Sequence, residues 1–256
     1  MNTIETLLEK IEKAKDLDFG TIFSDSIELF KKVWVQGLVI LLLSMLFMLP
    51  FYLLMYVPLL GMGMMDPEAL NNGGEPNWAI MLPFYGLMFV FSFFAMIIGV
   101  GFKAAFFRIC KQKEFNEAVG DDYLYFFKKP YLGKTVKVGA ATFLITIVAY
   151  LLCVLPVIYA VVPISIINVI YAFNPDLSVS EIVKAGFKLG NKKWLITFGL
   201  MLVAGFLAGA VGMLMCFIGV LATSAFSYIP LYMIYKESIG FDDKSEIEQI
   251  GSGEEV

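Results

Sequence analysis

Three polar side chains within one uncharged stretch are spaced to share a helix face: Ser165, Asn168 and Tyr171 stand at i, i+3 and i+6. Thr223, Ser224 and Ser227 form a second such group later in the chain. Hydroxyls and carboxamides donate and accept hydrogen bonds but do not titrate near neutral pH. If the two groups meet, two readings stand side by side. One is interhelical hydrogen bonding, worth about 0.6 kcal/mol per bond between membrane helices. The other is the polar lining of a cavity for a lipid or apolar solute.

More reactive chemistry is scarce. The sequence has no histidine, so the commonest metal ligand and the side chain that titrates near pH 7 are both missing. Cys110, Cys153 and Cys216 lack C-x-x-C spacing, which argues against a metal site. Cys153 and Cys216 fall near the outer ends of their spans, where an oxidising compartment would let them pair. The acids of "DPEALNNGGEPNW", Asp66 and Glu68, lack the repeated oxygen-ligand spacing of a calcium loop and read as a solvated turn. Phosphate loops, nucleophile elbows and catalytic carboxylate pairs are not evident. No residue is therefore assigned a catalytic, cofactor-binding or metal-ligating role, and the expectation is a protein that is not an enzyme and holds no cofactor.

The elements that must carry these side chains are membrane spans. Of 256 residues, 59% are hydrophobic and 16% charged, against about 25% charged in a soluble domain. Uncharged runs cover 33–65, 76–102, 138–175 and 194–235, each longer than the roughly 20 residues that cross a hydrocarbon core. The last two are long enough for two spans each. Six spans follow, at 34–57, 78–101, 137–155, 156–173, 194–213 and 215–235, with Pro156 expected to make the turn between the third and fourth. A signal peptide is not expected, because the first apolar run is too long and too far from the start.

Charge placement sets the orientation. All 19 Lys and Arg residues fall in the segments on one side of the six spans, which the positive-inside rule makes cytoplasmic. Both termini then face the cytosol of a multi-pass membrane protein. Lys31 and Lys32, Lys128 and Lys129, and Lys192 and Lys193 stand at the starts of spans one, three and five, and are expected to anchor to lipid headgroups together with Trp34 and Trp194. Lys103 stands at the inner end of span two. With Arg108, Lys111 and Lys113 it is expected to snorkel rather than to bind phosphate. Since the basic residues follow the membrane face and alternate with acids, nucleic acid is not an expected partner.

A repeat lies behind the lysines. Phe19, Ile22, Phe23, Ser26, Ile27 and Phe30 form one helical stripe, and Val179, Ile182, Val183, Gly186, Phe187 and Gly190 repeat its offsets 160 residues later. A weaker copy at Val119, Tyr123, Leu124 and Phe127 is interrupted by Gly120-Asp121-Asp122. This pattern predicts three parallel units, each an amphipathic helix lying on the inner surface followed by a hairpin of spans. Ser178 and Glu181 have the spacing of a capping box. In span five, Gly205, Gly209 and Gly212, with Ala204 and Ala208, would allow helices to approach closely.

The succession "PISIINVIYAFNPDLSVSEIVKAGFKLGNKKWLITFGL", with "SDSIELFKKVW" before it and "IPLYMIYKE" after it, resembles the DUF975 and YciC-like groups of six-span bacterial inner-membrane proteins and the membrane domain attached to some glycerophosphodiesterases. The resemblance covers roughly 19–237. It implies an all-α polytopic domain and carries no catalytic motif.

The expected organisation is a cytoplasmic N-terminal segment at 1–18, a six-helix transmembrane domain at 19–237 and an acidic cytoplasmic tail at 238–256. The expected role is a scaffold or accessory subunit of a membrane-biogenesis complex, partnered by the bilayer, by other membrane subunits or by itself. The alternative is a carrier or flippase-like protein for lipid or amphipathic solutes.

Overall fold

The computed structural model describes residues 3–61, 71–72, 75–76, 78–215 and 218–241. They are overwhelmingly helical, joined by a two-residue antiparallel pairing of β1 (Asn71–Asn72) with β2 (Glu75–Pro76). The helices are α1 (Ile4–Lys13), α2 (Phe19–Gly61), α3 (Trp78–Glu114), α4 (Lys129–Leu151), α5 (Val154–Phe173), α6 (Val179–Lys192), α7 (Trp194–Leu214), α8 (Ile218–Thr223) and α9 (Ile229–Ser238). Five of them, α2, α3, α4, α5 and α7, are long and apolar enough to cross a membrane. This is a membrane protein.

The sixth apolar segment is not one helix. α8 gives way to a 3-10 turn at Ser224–Tyr228, which leads into α9. Pro230 is the cause, because it lacks an N–H and its ring crowds the carbonyl four residues back. That carbonyl, on Phe226, instead accepts from the N–H of Ile229, the tighter spacing of a 3-10 turn. The broken segment still runs back along α7: Gly212 faces Val220, and Thr223 donates to the carbonyl of Ala208 at 2.7 Å.

The amphipathic stripes do not lie apart on a surface. Residues 19–33 are continuous with the first span in a single 43-residue helix, started by Asp18, whose carboxylate accepts from the Thr21 N–H at 2.7 Å. Their apolar face is covered by protein in part: Phe23 and Phe30 meet the Phe226 ring edge-on and Phe19 reaches Gly199, while Phe19 and Ile27 remain exposed. α6 begins with the capping box of Ser178 and Glu181, and lies along α5. A Cβ on Gly186 would come within 2.3 Å of Ile167, and one on Gly190 within 2.9 Å of Pro163. Glycine lets these backbones touch, so α5 takes the contact expected of lipid.

The middle copy forms no amphipathic helix. Only a 3-10 turn at Tyr125–Phe127 precedes α4, since Gly120-Asp121-Asp122 and Pro130 leave too short an uninterrupted run. The turn between α4 and α5 is made by Leu152 and Cys153, the latter at φ 85°. Pro156 falls instead in the first turn of α5, where its missing N–H has no helix partner to lose.

Candidate ligand-binding cavity

The structure divides the six predicted polar residues. Ser165, Asn168 and Ser227 line one cavity of about 410 Å³ enclosed by α3, α4, α5, α7 and the Ser224–Leu231 stretch. Ser224 opens into an adjoining recess that shares Lys103 and Tyr228 with it. Tyr171 points elsewhere, fully buried with its hydroxyl 2.7 Å from that of Thr135. Thr223 is spent on the carbonyls of Ala208 and Gly219.

Helix periodicity builds the walls. Ala95, Gly99, Lys103 and Phe107 follow one face of α3, while Val157, Val161, Ile164, Ser165 and Asn168 follow one face of α5. Both helices are antiparallel neighbours of α4, so they run in the same sense. The apolar residues Ala95 and Val157 therefore lie at one end, and Lys103 and Asn168 at the other. Gly99 keeps the space open, as a Cβ built there meets nothing within 4 Å.

Two groups at the polar end lack partners. Asn168 is 5% exposed; its Nδ2 donates to the Ile164 carbonyl at 3.1 Å, while Oδ1 accepts nothing. A buried orphan of this kind costs about 1–3 kcal/mol, so it calls for a donor. Lys103 has no carboxylate within ion-pair distance among the described residues. Its Nζ lies 5.0 Å from the centre of the Tyr228 ring, a cation–π contact that orients the charge without neutralising it. Ionisable groups inside a membrane bundle are costly and usually serve function. An elongated cavity with an apolar end and a cationic, hydrogen-bonding end suits an amphiphile whose head carries oxygen acceptors. Among the described residues no cluster of three Cys, Asp or Glu side chains could hold a metal ion.

The predicted lipid anchors separate into two kinds. Lys31, Lys32, Trp34, Lys128 and Lys129 are exposed, and Lys31 and Lys128 pair with Glu28 and Asp122. Lys192 and Lys193 instead grip protein. The Lys192 ammonium donates to the carbonyls of Ile11 at 2.9 Å and of Glu12, and Lys193, only 5% exposed, donates to the carbonyl of Lys15. These carbonyls close the C-terminal end of α1, where a helix leaves acceptors unsatisfied and concentrates negative potential. Trp194, half-buried, likewise bonds to protein, its Nε1 donating to the Tyr159 carbonyl at 3.1 Å.

α1 is an element that neither the uncharged runs nor the repeat predicts. Leu7 and Ile11 are completely buried against the bundle, and Glu12 pairs with Lys188 of α6. That hydrogen bond, together with the positive charge, holds the Glu12 carboxyl below its usual range. The signal was present, since Leu7 and Ile11 are spaced i, i+4 after Thr3, which caps the helix.

The small residues of α7 also separate. Ala204, Ala208 and Gly212 form the buried row, and a Cβ on Gly212 would fall 2.6 Å from the Val220 backbone. Gly205 has only the Ser227 hydroxyl near it, at 3.9 Å, and Gly209 has nothing within 4 Å. Cys153 is exposed with a free thiol, and Cys216 lies outside the described residues. Compared with protein-family models, curated proteins and solved structures, the chain matches none.

Proposed function

We propose that this chain is a carrier or flippase-like protein for a lipid or lipid-like amphiphile, with a binding rather than an enzymatic role. The observation behind it is the meeting of Lys103 and the orphaned Asn168 Oδ1 in one cavity. A headgroup bearing both an oxyanion and a hydroxyl or amine satisfies both groups, and its tail follows the apolar walls toward Ala95 and Val157. A scaffold needs no such space, and the acidic run at 242–256 on which that expectation leaned lies outside the described residues.

In this reading α8, the 3-10 turn and α9 form a sixth crossing. Their 6, 5 and 10 residues extend to about 34 Å, comparable with the roughly 32 Å of the 21-residue α7. An even number of crossings puts both termini on the basic face, which is the cytoplasmic side of a bacterial inner membrane.

The test is the lipid that co-purifies with the full chain in mild detergent, quantified by extraction and native mass spectrometry. Wild-type protein should retain an amphiphile at about one per chain. Gly99→Leu, which projects a side chain into open space, and Lys103→Met should each lose it while remaining monodisperse. Retention unchanged in both variants would overturn the assignment.

A further inference from the structure

A second recess, sharing no lining residue with the cavity above, lies where α3 ends. It has a volume of about 270 Å³, and Arg108, Lys111, Gln112, Glu117 and Tyr125 contribute to its wall. Arg108 dominates it. The guanidinium carbon sits 3.6 Å from the centre of the Tyr125 ring, and Tyr125 is backed on its other side by Tyr131, stacked at 4.6 Å and joined to it by a 2.7 Å hydroxyl hydrogen bond. A guanidinium held over an aromatic ring by a cation–π contact keeps its N–H groups for other acceptors, and their planar fork suits two parallel bonds to an oxyanion. Among the described residues those N–H groups have no carboxylate or carbonyl acceptor.

A further observation points to a ligand. Gln112 is 4% exposed and its Oε1 has no hydrogen-bond partner. The NH2 of the same carboxamide, a donor, makes no hydrogen bond among the described residues. Lys111 adds a second positive charge to the wall. Glu117 stands 4.0 Å from the Lys111 ammonium.

We infer that this recess is an oxyanion site that binds a phosphoryl group through Arg108, with Gln112 completing the cradle. The phosphoryl group belongs either to an anionic lipid headgroup or to a free phosphate ester. The site lies outside the amphiphile cavity and does not depend on it.

The test uses the full chain in neutral detergent free of phosphate, read as the shift in its thermal transition. The probes are inorganic phosphate, glycerol phosphate and short-chain phosphatidylglycerol, each compared with sodium chloride at matched ionic strength. A ligand that binds only the folded state raises the transition in proportion to its occupancy. Wild-type protein should shift with phosphate-bearing probes beyond the chloride control. A shift with all three assigns the site to phosphate itself, and a shift with phosphatidylglycerol alone assigns it to a lipid headgroup. Arg108→Gln should weaken the apparent affinity by about 10-fold or more, the loss expected for a hydrogen bond to a charged group. Arg108→Lys, which keeps the charge but not the planar fork, should weaken it too, and serves if the glutamine variant does not fold. No shift beyond chloride in wild-type protein, or an equal shift in a folded Arg108 variant, overturns the inference. Neither Arg108 variant should change the amphiphile retained in the Lys103 cavity, so the two proposals fail separately.

Discussion

Trp194 donates its indole N–H to the carbonyl of Tyr159 at 3.1 Å, and the reason lies at Pro163. In an α-helix the Tyr159 carbonyl would accept from the N–H four residues later, which proline lacks. Within a bilayer a freed carbonyl finds no water, and a neighbouring side chain must serve it. Trp194 therefore ties the start of α7 to the middle of α5, next to the bond that the Tyr159 hydroxyl makes with Asn191.

Trp194→Phe keeps the ring and removes the donor, so it should destabilise the protein by about 1–3 kcal/mol. In a Pro163→Ala background the alanine N–H can take over the carbonyl, and the same substitution should then cost clearly less. Denaturant unfolding of the four proteins in one detergent measures the coupling; equal costs in both backgrounds would refute the link.

Lys192 and Lys31 are each the first lysine of the pair before spans five and one, yet only Lys192 reaches the carbonyls that end α1. Lys192→Gln should expose residues 4–13 to exchange and proteolysis, with a loss of about 1.5–3 kcal/mol of local protection. Lys31→Gln should leave them unchanged. Hydrogen exchange resolved to α1 distinguishes the two.

The docking of α1 should also weaken in acid. Lys188 holds the Glu12 carboxyl below 4.5, first by its hydrogen bond and second by its charge. A carboxyl whose folded pKa is lowered binds its proton more readily in the undocked state. Its stabilisation is thus complete above 4.5 and fades as the pH falls below it. Protection of α1, corrected for intrinsic exchange, should drop on acidification in wild-type protein and show a smaller drop in Glu12→Gln.

Alanine at two glycines of α7 should give opposite results. At Gly212 the new methyl meets the Val220 backbone at 2.6 Å, and should cost about 1–3 kcal/mol. At Gly209 it meets nothing, so the better helix propensity of alanine should leave stability unchanged or raised by up to about 1 kcal/mol. Unfolding midpoints of Gly212→Ala and Gly209→Ala decide this.

Much of this was legible along the chain. The uncharged runs located every long helix, and the capping box marked where α6 begins. The Ser165, Asn168 and Ser227 part of the cavity was readable because polar residues stand out in apolar spans. Lys103 was singled out too, but read as an anchor. α1 was missed because a short stripe within a charged stretch looks like any solvated segment. The recess at Arg108 was missed because its parts, from α3 to the 3-10 turn at Tyr125, are brought together only by packing.

Hydropathy, length and the side on which Lys and Arg fall were enough to establish a helical membrane protein and to exclude histidine-based chemistry, because insertion into lipid depends on the local transfer of each segment. Which face of a helix meets protein rather than lipid is a different matter. An apolar stripe pays equally well for either, so only the folded chain could turn α6 onto α5, Lys192 onto α1 and Lys103 into a cavity. Those choices depend on backbone approach and on unsatisfied carbonyls such as that of Tyr159, which exist only once the helices have met.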